Sequence, residues 1–519
     1  MLLSVLVAVL VATVMTGCRR PEAPRPGERE ASPFRAGIVG PASLDPAQAR
    51  SVDELLVADQ LYDSLTAYDP ETLEPVPAVA ASWTATDDQQ QWEFTLRADA
   101  RFADGRPLTS EDVKASFDRI ARMGPISSVA DLLEPVAGYA AASAEGASGG
   151  LAGVTAPTPD VVRIDLDQPW SLLPSALASP AFGILPKEAA DASSLPEEVM
   201  GSGPFRLAAR EEDRLTLVPA SGVVTRTPVI ELLLFSDKAG AYAAFEAGRA
   251  HWSGVPADRV GDAAKRHGRG LFKPYVAELF YAFNLRSPKF SDPRLRDAIS
   301  RAVNREAIIA DVYGGTVLPI EGLVLRGLPG HQEQPCQQVC GYDREGAVAL
   351  VAELAAEGPL PEVQLDFEDD KTQTAVATAI RDDLAAVGIP AAMRPKPLAD
   401  YQQFAVTGEQ ELFRLGWIAP YPSADAILTP LFRSGFPNNV VGLSSPAVDE
   451  PLLLARAEAD PARRLEHLRQ AERAVMGELV VIPIAQFEIH TVASPRVRGL
   501  ELTSTGTFDG RKVWLASGG

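Results

Sequence analysis

The sequence predicts a mixed α/β fold divided into about three domains. The chain has 519 residues, which is too long for a single hydrophobic core. Its hydrophobic fraction of 46% and its charged fraction of 23% are those of an ordinary globular protein. Short apolar strands alternate with amphipathic helices along the chain without an internal repeat. This alternation favours mixed α/β domains.

A clear strand signal lies near residue 90. Trp92, Phe94 and Leu96 alternate with polar residues, which is the period of a strand with one buried face. Asp104 and Gly105 come next and favour a tight turn. We therefore expect a strand that leads through a turn into the next element.

Two helical blocks carry recognisable start and stop signals. Thr109 precedes Asp112 by three residues, a pattern typical of a helix start, and Gly124 is expected to end that helix. In the block "DPRLRDAISRAVNREAIIADVYGG", Asn304 can cap a second helix, and the glycines 314–315 stop it.

The last third of the chain repeats the alternation. Helices are expected at 343–358 and near 372–387, and strands at 362–367 and 391–395. The residues 479–494, "LVVIPIAQFEIHTVAS", are expected to be rich in strand. This βαβ-like order supports the mixed α/β class.

The N-terminus resembles a bacterial lipoprotein signal. An uncharged apolar run ends in small residues just before Cys18, although Met15 stands where Leu is usual. We expect residues 1–17 to be a signal peptide and Cys18 to be lipidated, which places the protein outside the cytoplasm on the cell membrane. An ordinary cleaved signal with an incidental cysteine is the alternative. The proline-rich, charged residues 18–33 are expected to form a disordered tether.

The two other cysteines, Cys336 and Cys340, lie close together in "GHQEQPCQQVCGYD". Outside the cytoplasm such a pair favours a loop disulfide. A metal site needs further ligands, and His331 alone gives poor support. Free thiols remain the alternative.

Composition and motifs argue against several classes of protein. A formal charge of −21 disfavours a nucleic-acid partner. None of the five histidines has the spacing of a metal pair, and no P-loop or nucleophile elbow is present. We therefore expect no catalytic residues, no metal and no cofactor, and we take a monomer as the default state.

Seven blocks of sequence, taken in order, resemble one family. The blocks are 43–49, 59–83, 87–120, 201–207, 244–252, 281–309 and 342–358. The most specific of them is "DDQQQWEFTLRADARFADGRPLTSEDVKASFDRI". Together they resemble the family-5 extracellular solute-binding proteins of ABC importers, which include oligopeptide, dipeptide and nickel receptors.

The resemblance implies a two-lobed, periplasmic-binding-protein-like α/β fold (type II, cluster C) with a hinge and an extra inserted domain. Domain I of the first lobe would combine 34–64, 186–270 and 492–519. The inserted domain II would fill 65–185, and domain III, the second lobe, would fill 271–491.

The same resemblance implies a function. A peptide or peptide-like solute would bind in the cleft between the lobes, and an ABC permease in the membrane would read the closed form. The alternatives are a receptor for a sugar or siderophore-like compound, and a surface sensor or peptide chaperone on the same fold. A hydrolase is a third class.

The resemblance places the ligand beside the stretch "LFRLGWIAPYPSADAILTPLF". In the family, the strand matching Gly416, Trp417 and Ile418 runs along the cleft and pairs with an extended ligand. Peptide receptors carry an Asp three residues after the Trp, which binds the ligand's α-ammonium. Here that position is Pro420, which has neither charge nor N–H.

Four more residues complete the expected site. Asp425, or Asp53 on the facing lobe, would replace the missing acid, unless the ligand has no free N-terminus there. Arg414 matches a position that holds a ligand carboxylate in some members, and the alternative is that this strand Arg pairs with a neighbouring acid. Val52 matches a backbone contact of the first lobe. For Asn284 we expect a structural hydrogen bond.

Overall fold

The computed structural model describes residues 32–147, 149–192, 195, 200–335 and 341–516. The expected signal peptide 1–17, the lipidation site Cys18 and most of the tether 18–33 lie outside the described residues, as do Cys336 and Cys340. Within the described ranges, no helix is long and apolar enough to cross a membrane.

The strands of the described chain are mostly short. They are β1 (Phe34–Val39), β2 (Thr66–Tyr68), β3 (Pro75–Pro77), β4 (Ala80–Ala85), β5 (Gln91–Leu96), β6 (Val154–Thr158), β7 (Val161–Asp165), β8 (Phe205–Arg210), β9 (Arg214–Pro219), β10 (Ile230–Phe235), β11 (Trp252–Gly254), β12 (Phe272–Phe283), β13 (Val317–Pro319), β14 (Val363–Glu368), β15 (Ala391–Lys396), β16 (Leu412–Ile418), β17 (Val481–Ala493), β18 (Val497–Arg498) and β19 (Trp514–Leu515).

The helices alternate with these strands. They are α1 (Val52–Leu61), α2 (Ser110–Met123), α3 (Tyr139–Ala142), α4 (Leu173–Ala176), α5 (Lys187–Ala190), α6 (Lys238–Glu246), α7 (Val260–His267), α8 (Pro293–Ala302), α9 (Arg305–Asp311), α10 (Arg344–Glu357), α11 (Lys371–Ala386), α12 (Leu398–Phe404), α13 (Asp425–Phe432), α14 (Pro446–Ala457) and α15 (Pro461–Gly477). The mixed α/β class is confirmed.

One large sheet of 11 strands runs through the molecule in the order β15-β14-β16-β12-β17-β11-β1-β10-β9-β8, and β13 pairs with β17 off this path. A second sheet has the order β4-β5-β7-β6, and β2–β3 and β18–β19 form two small ribbons. We call β1 and β8–β11 with α1, α6 and α7 the first lobe. We call β12–β17 with α8–α15 the second lobe.

The long strands β12 and β17 join the two lobes. Phe272 at the start of β12 and Val492 near the end of β17 pack in a first-lobe cluster with Tyr242. Tyr281 and Ile482, farther along the same two strands, pack in a second-lobe cluster. The chain therefore crosses between the lobes twice along paired strands, as a hinged two-lobed fold requires.

The structure confirms the strand predicted around Phe94 and the helix start predicted at Thr109. Trp92, Phe94 and Leu96 are buried on one face of β5. Thr109 and Asp112 form a reciprocal capping box at the start of α2. These contacts involve neighbours in the chain, so the sequence alone was enough to indicate them.

Residues 65–185, the expected inserted domain and here called the inserted segment, pack against the second lobe as well as the first. The apolar residues of this segment belong to a core that continues into residues 320–328 and into α13–α15. Trp170 stacks edge-on against Tyr421 with ring centroids 6.0 Å apart. Ser171 Oγ donates a hydrogen bond to Ala455 O at 3.1 Å. The expected domain boundaries themselves stay predictions.

A buried ion pair fastens the first lobe to the inserted segment. Asp45 lies just ahead of α1, and its carboxylate accepts two bonds from the Arg119 guanidinium of α2, at 3.1 and 2.5 Å. Their side chains are only 5% and 10% exposed. Removing one member of such a pair leaves a buried charge without its partner.

We therefore predict that Arg119→Met lowers the free energy of unfolding by about 3 kcal/mol or more. As a matched control, Lys512→Met breaks the exposed pair with Glu501 and should cost less than about 1 kcal/mol. Denaturant unfolding of both variants measures the difference. Equal losses in the two variants would contradict the prediction.

Candidate functional site

A cavity of about 440 Å³ lies where the connecting strands leave the first lobe. The first lobe contributes Val52, Asp53, Lys238, Trp252 and Gly254, together with Gly506 of the C-terminal segment. The second lobe and the connecting strands contribute Tyr275, Ala277, Glu278, Arg414, Gly416, Trp417, Ile418, Phe487, Glu488, Ile489, His490 and Thr491. The volume is in the usual range for a small-molecule site.

Strand β16 forms one wall of this cavity and has an open edge. Along one edge it pairs with β12 from Leu412 to Ile418. Along the other edge, β14 pairs only with Leu412 and Phe413. Within the described ranges, residues 414–418 have no strand partner on that side. Gly416 is exposed, and Ile418 is 57% exposed.

Trp417 belongs to the core and to the cavity wall at once. Its indole packs against the large core that runs between the inserted segment and the second lobe. Its Nε1–H donates to Ala426 O at 2.8 Å, while the side chain also lines the cavity. The hydrogen bond fixes the ring, which gives a rigid apolar surface at the cavity.

Arg414 lies over the bare backbone of Gly416. A Cβ at residue 416 would be 3.2 Å from Arg414 Nη2, so the glycine leaves room for the guanidinium. Arg414 Nη1 is paired with Glu368 Oε1 at 3.2 Å. The cation therefore lines the cavity from a fixed position, with part of its charge already balanced.

The two acids proposed as replacements for the missing anchor have different surroundings. Asp53 lines the cavity, and its Oδ2 accepts a hydrogen bond from Val39 N at 2.9 Å. Burial raises the pKa of Asp53, and the Val39 bond and the nearby Lys238 ammonium oppose that rise. Asp53 is therefore in a position to meet a ligand.

Asp425 does not line the cavity, so the expectation that it contacts the ligand is corrected. It is fully buried outside the cavity lining. Its carboxylate accepts hydrogen bonds from Tyr421 Oη at 2.7 Å and Thr429 Oγ1 at 2.5 Å, and it pairs with Arg456 at 3.4 Å. Since these partners already satisfy it, the acid stabilises the second lobe.

Pro420 also lies outside the lining, and its expected ligand contact is corrected in the same way. The residue before it, Ala419, donates its N–H to Val276 O at 2.8 Å, which still belongs to the β12–β16 pairing. Strand β16 ends at Ile418, and none of residues 419–425 is in the cavity lining.

Glu278 is a lining residue that our sequence analysis missed. It is 1% exposed, and neither carboxylate oxygen has a hydrogen-bond partner among the described residues. Burial raises the pKa of Glu278 well above its ordinary value, and the Glu472 carboxylate adds to the rise. The sequence signal was a single acid inside the apolar run "YVAELFYAF".

Glu488, another residue of the lining, accepts a hydrogen bond from Arg269 Nη2 at 2.8 Å. Its Oε2 lies 3.4 Å from Nε2 of His490, which also lines the cavity. Asn284 lies outside the lining and donates to Gly408 O at 2.8 Å and to Gln410 O at 2.7 Å, which is a structural role. In the described chain, no group of His, Cys, Asp or Glu side chains could hold a metal ion.

Two lobes, paired connecting strands and a cavity lined from both sides define a two-lobed ligand-binding protein. Residues 74–439 match the family model of bacterial extracellular solute-binding proteins, family 5, middle part. The chain belongs to this family, which consists of solute-binding proteins and not of enzymes.

Individual relatives agree with this assignment. The chain is 26% identical over 493 residues to the periplasmic murein peptide-binding protein MppA of Escherichia coli (strain K12), covering 89% of each chain. It is 20% identical over 500 residues to the oligopeptide-binding protein OppA of Bacillus subtilis (strain 168), covering 92% of this chain and 91% of the relative. The unliganded open form of MppA has the same fold, with a TM-score of 0.82, 23% identity and coverage of 94% and 98%.

The buried Glu278 predicts a pH dependence of stability. In the unfolded chain this carboxyl has an ordinary pKa of 4.5, while in the folded protein its pKa is higher, so it keeps its proton to higher pH. Its contribution is therefore fully present below 4.5 and is lost as the pH rises, by about 1.4 kcal/mol per unit until the folded-state value is reached.

Glu278→Gln removes this loss, so the variant should unfold at a higher temperature than the wild type at pH 8 and at a similar temperature at pH 4.5. Thermal unfolding across this range measures the difference. Glu231→Gln, on a first-lobe strand outside the cavity, is the control and should follow the wild type. If the unfolding temperatures of wild type and Glu278→Gln change with pH in the same way, the raised pKa of Glu278 is contradicted.

Proposed function

We propose that the protein is the extracytoplasmic receptor of an ABC importer, which captures a peptide or peptide-like solute between its lobes and delivers it to a membrane permease. The relatives named as murein peptide-binding and oligopeptide-binding proteins support the peptide class. The proposed ligand contacts are Val52, Asp53, Arg414, Gly416, Trp417 and Ile418, all of which line the cavity.

The observation that carries this proposal is the open edge of β16. Within the described chain, residues 414–418 have no strand partner on the edge opposite β12, where the Arg414 carbonyl accepts a single side-chain hydrogen bond from Tyr401 Oη at 2.6 Å. An extended peptide can add to such an edge as a further strand, with main-chain hydrogen bonds that do not depend on its sequence. Gly416 allows the close backbone approach that this pairing needs.

The position of the cavity supports a closing movement. Its lining comes from both lobes, so one ligand can contact both at once. Such a ligand stabilises the closed state by the contacts that it gains there, and a permease can distinguish that state from the free protein. Arg414 would face the carboxylate of the solute, and Trp417 would supply an apolar wall.

We further propose that lipidated Cys18 anchors the protein on the outer side of the cell membrane, with residues 18–33 as a tether. A receptor that passes its solute to a permease gains from being held near it, because tethering raises the effective concentration. The acyl chains would supply about 0.8 kcal/mol per buried CH₂ group.

The first prediction from this proposal concerns binding itself. Trialanine should raise the midpoint of thermal unfolding in a concentration-dependent way, because a ligand that binds only the folded state adds RT ln(1+[L]/Kd) to the stability. Trialanine methylated on its central amide nitrogen should bind about tenfold more weakly, since it lacks a donor for strand pairing. Equal binding of the two peptides would contradict pairing at β16.

A matched pair of variants tests the wall of the cavity in the same assay. Ile418→Ser removes an apolar side chain that is 57% exposed in the lining, and Leu398→Ser removes one that is 59% exposed on α12, outside it. Both should change folding stability by less than about 0.5 kcal/mol. Only Ile418→Ser should weaken trialanine binding, by about tenfold.

The anchor is tested by cell fractionation. In a bacterial host the full chain should sediment with the membranes, and Cys18→Ala should be released into the soluble extracytoplasmic fraction. Cys336→Ala is the control for a cysteine change and should stay with the membranes. A Cys18→Ala protein that remains bound to membranes would show that another segment holds it there.

A further inference from the structure

We infer that Glu278 binds the cationic group of the solute, a protonated primary amine, from the wall of the cavity. This inference rests on the proposed function, because it takes the cavity as the ligand site. It adds to that function the chemical class of the solute, which is a primary amine. It also assigns the charge to a residue of β12, one strand away from the position where Pro420 replaces the expected acid.

The neighbours of Glu278 in the sheet cannot serve its carboxylate. In the register of the sheet it lies opposite Trp417 on one side and Gln486 on the other. The indole N–H of Trp417 donates to Ala426 O at 2.8 Å. The amide of Gln486 donates to Tyr275 O at 2.9 Å and to Arg326 O at 3.0 Å. Both donors are already used.

The charged group that acts on Glu278 is another acid. Glu472 on α15 is fully buried, and its Oε1 accepts hydrogen bonds from Leu323 N at 2.9 Å and Val324 N at 2.8 Å. Its Oε2 accepts from Gln332 Nε2 at 2.8 Å. Glu472 is therefore held by donors of its own, and its negative charge makes the surroundings of Glu278 more favourable for a cation.

Among the described residues, no cation pairs with the Glu278 carboxylate. Arg414 pairs with Glu368, and the nearby Arg269 pairs with Glu488. The Lys238 ammonium acts on Asp53. A buried carboxylate without a donor is costly, and Glu278 contributes to the lining of the cavity while both of its oxygens lack a partner among the described residues. The missing donor is therefore expected from the solute.

A break in the sheet places Glu278 in that wall. The β12–β17 register shifts between Pro274 and Glu278, so that Pro274 lies opposite Glu488 and Glu278 lies opposite Gln486. Irregularities of this kind re-aim side chains next to functional sites. A primary ammonium is compact and carries three N–H donors, so it can donate to both oxygens of one carboxylate.

The experiment compares three probes on the full folded protein by titration calorimetry at neutral pH. Trialanine has a free amine, N-acetyltrialanine has none, and 1,5-diaminopentane has amines without a peptide. Wild type should bind trialanine about tenfold or more tightly than its acetylated form. Glu278→Gln should bind both tripeptides with the same, weaker affinity and should lose the diamine.

Two further variants locate the effect. Glu231→Gln, a strand glutamate of the first lobe outside the lining, should keep the wild-type preference for the free amine. If Asp53→Asn abolishes the preference and Glu278→Gln keeps it, the amine lies at Asp53 and the inference is overturned. The wild-type comparison alone decides the point if Glu278→Gln does not fold, because equal binding of both tripeptides excludes an amine site.

The outcomes also separate this inference from the proposed function. Binding of both tripeptides with equal affinity, and no binding of the diamine, would support a peptide receptor and overturn the role of Glu278. Binding of the diamine that depends on Glu278, without binding of either tripeptide, would support the cation site and contradict the peptide class. If none of the three probes binds, both are wrong.

Discussion

The site depends on an interruption of the backbone pairing between β12 and β17. Between Pro274 and Glu278 the two strands lose their regular register, and the polar groups freed there find other partners. Tyr275 O accepts from the Gln486 side chain, and Val276 O accepts from Ala419 N. These hydrogen bonds stabilise the irregular segment without restoring the regular pairing of β12 and β17. Since the same two strands connect the lobes, the cavity lies at the place where any movement between the lobes must act.

This position explains how the charges of the cavity are distributed. Arg414 and Glu488 each have a partner of opposite charge, and Asp53 has the Val39 amide. Among the described residues of the lining, Glu278 has a buried carboxylate with both oxygens unsatisfied. A solute that brings a cation to Glu278, as inferred above, would also be oriented by that contact, since only its cationic end gains by facing this carboxyl.

The sequence indicated the local parts of this arrangement and missed the parts that distant segments create. The cap at Thr109 and the alternation around Phe94 depend on neighbours in the chain, so they could be predicted. The Gly416–Ile418 wall came from a resemblance and lies in the cavity. Asp425 could not be judged without Arg456, which arrives from another helix. Glu278 became visible only once the register had shown that its neighbours are committed.

The inserted segment accounts for the different fates of Asp425 and Glu278. The Trp170 ring packs edge-on against Tyr421, and its centroid lies 5.2 Å from Cζ of Arg456. Tyr421 and Arg456 also bind the Asp425 carboxylate. If Asp425 moved toward a ligand, its buried ion pair with Arg456 would break. The contact between the inserted segment and the second lobe would be weakened as well. Glu278 has no such task. An acid that stabilises nothing in the free protein can be given to the solute at little cost, and we expect the charge that recognises the solute to be the one that the fold leaves unpaired.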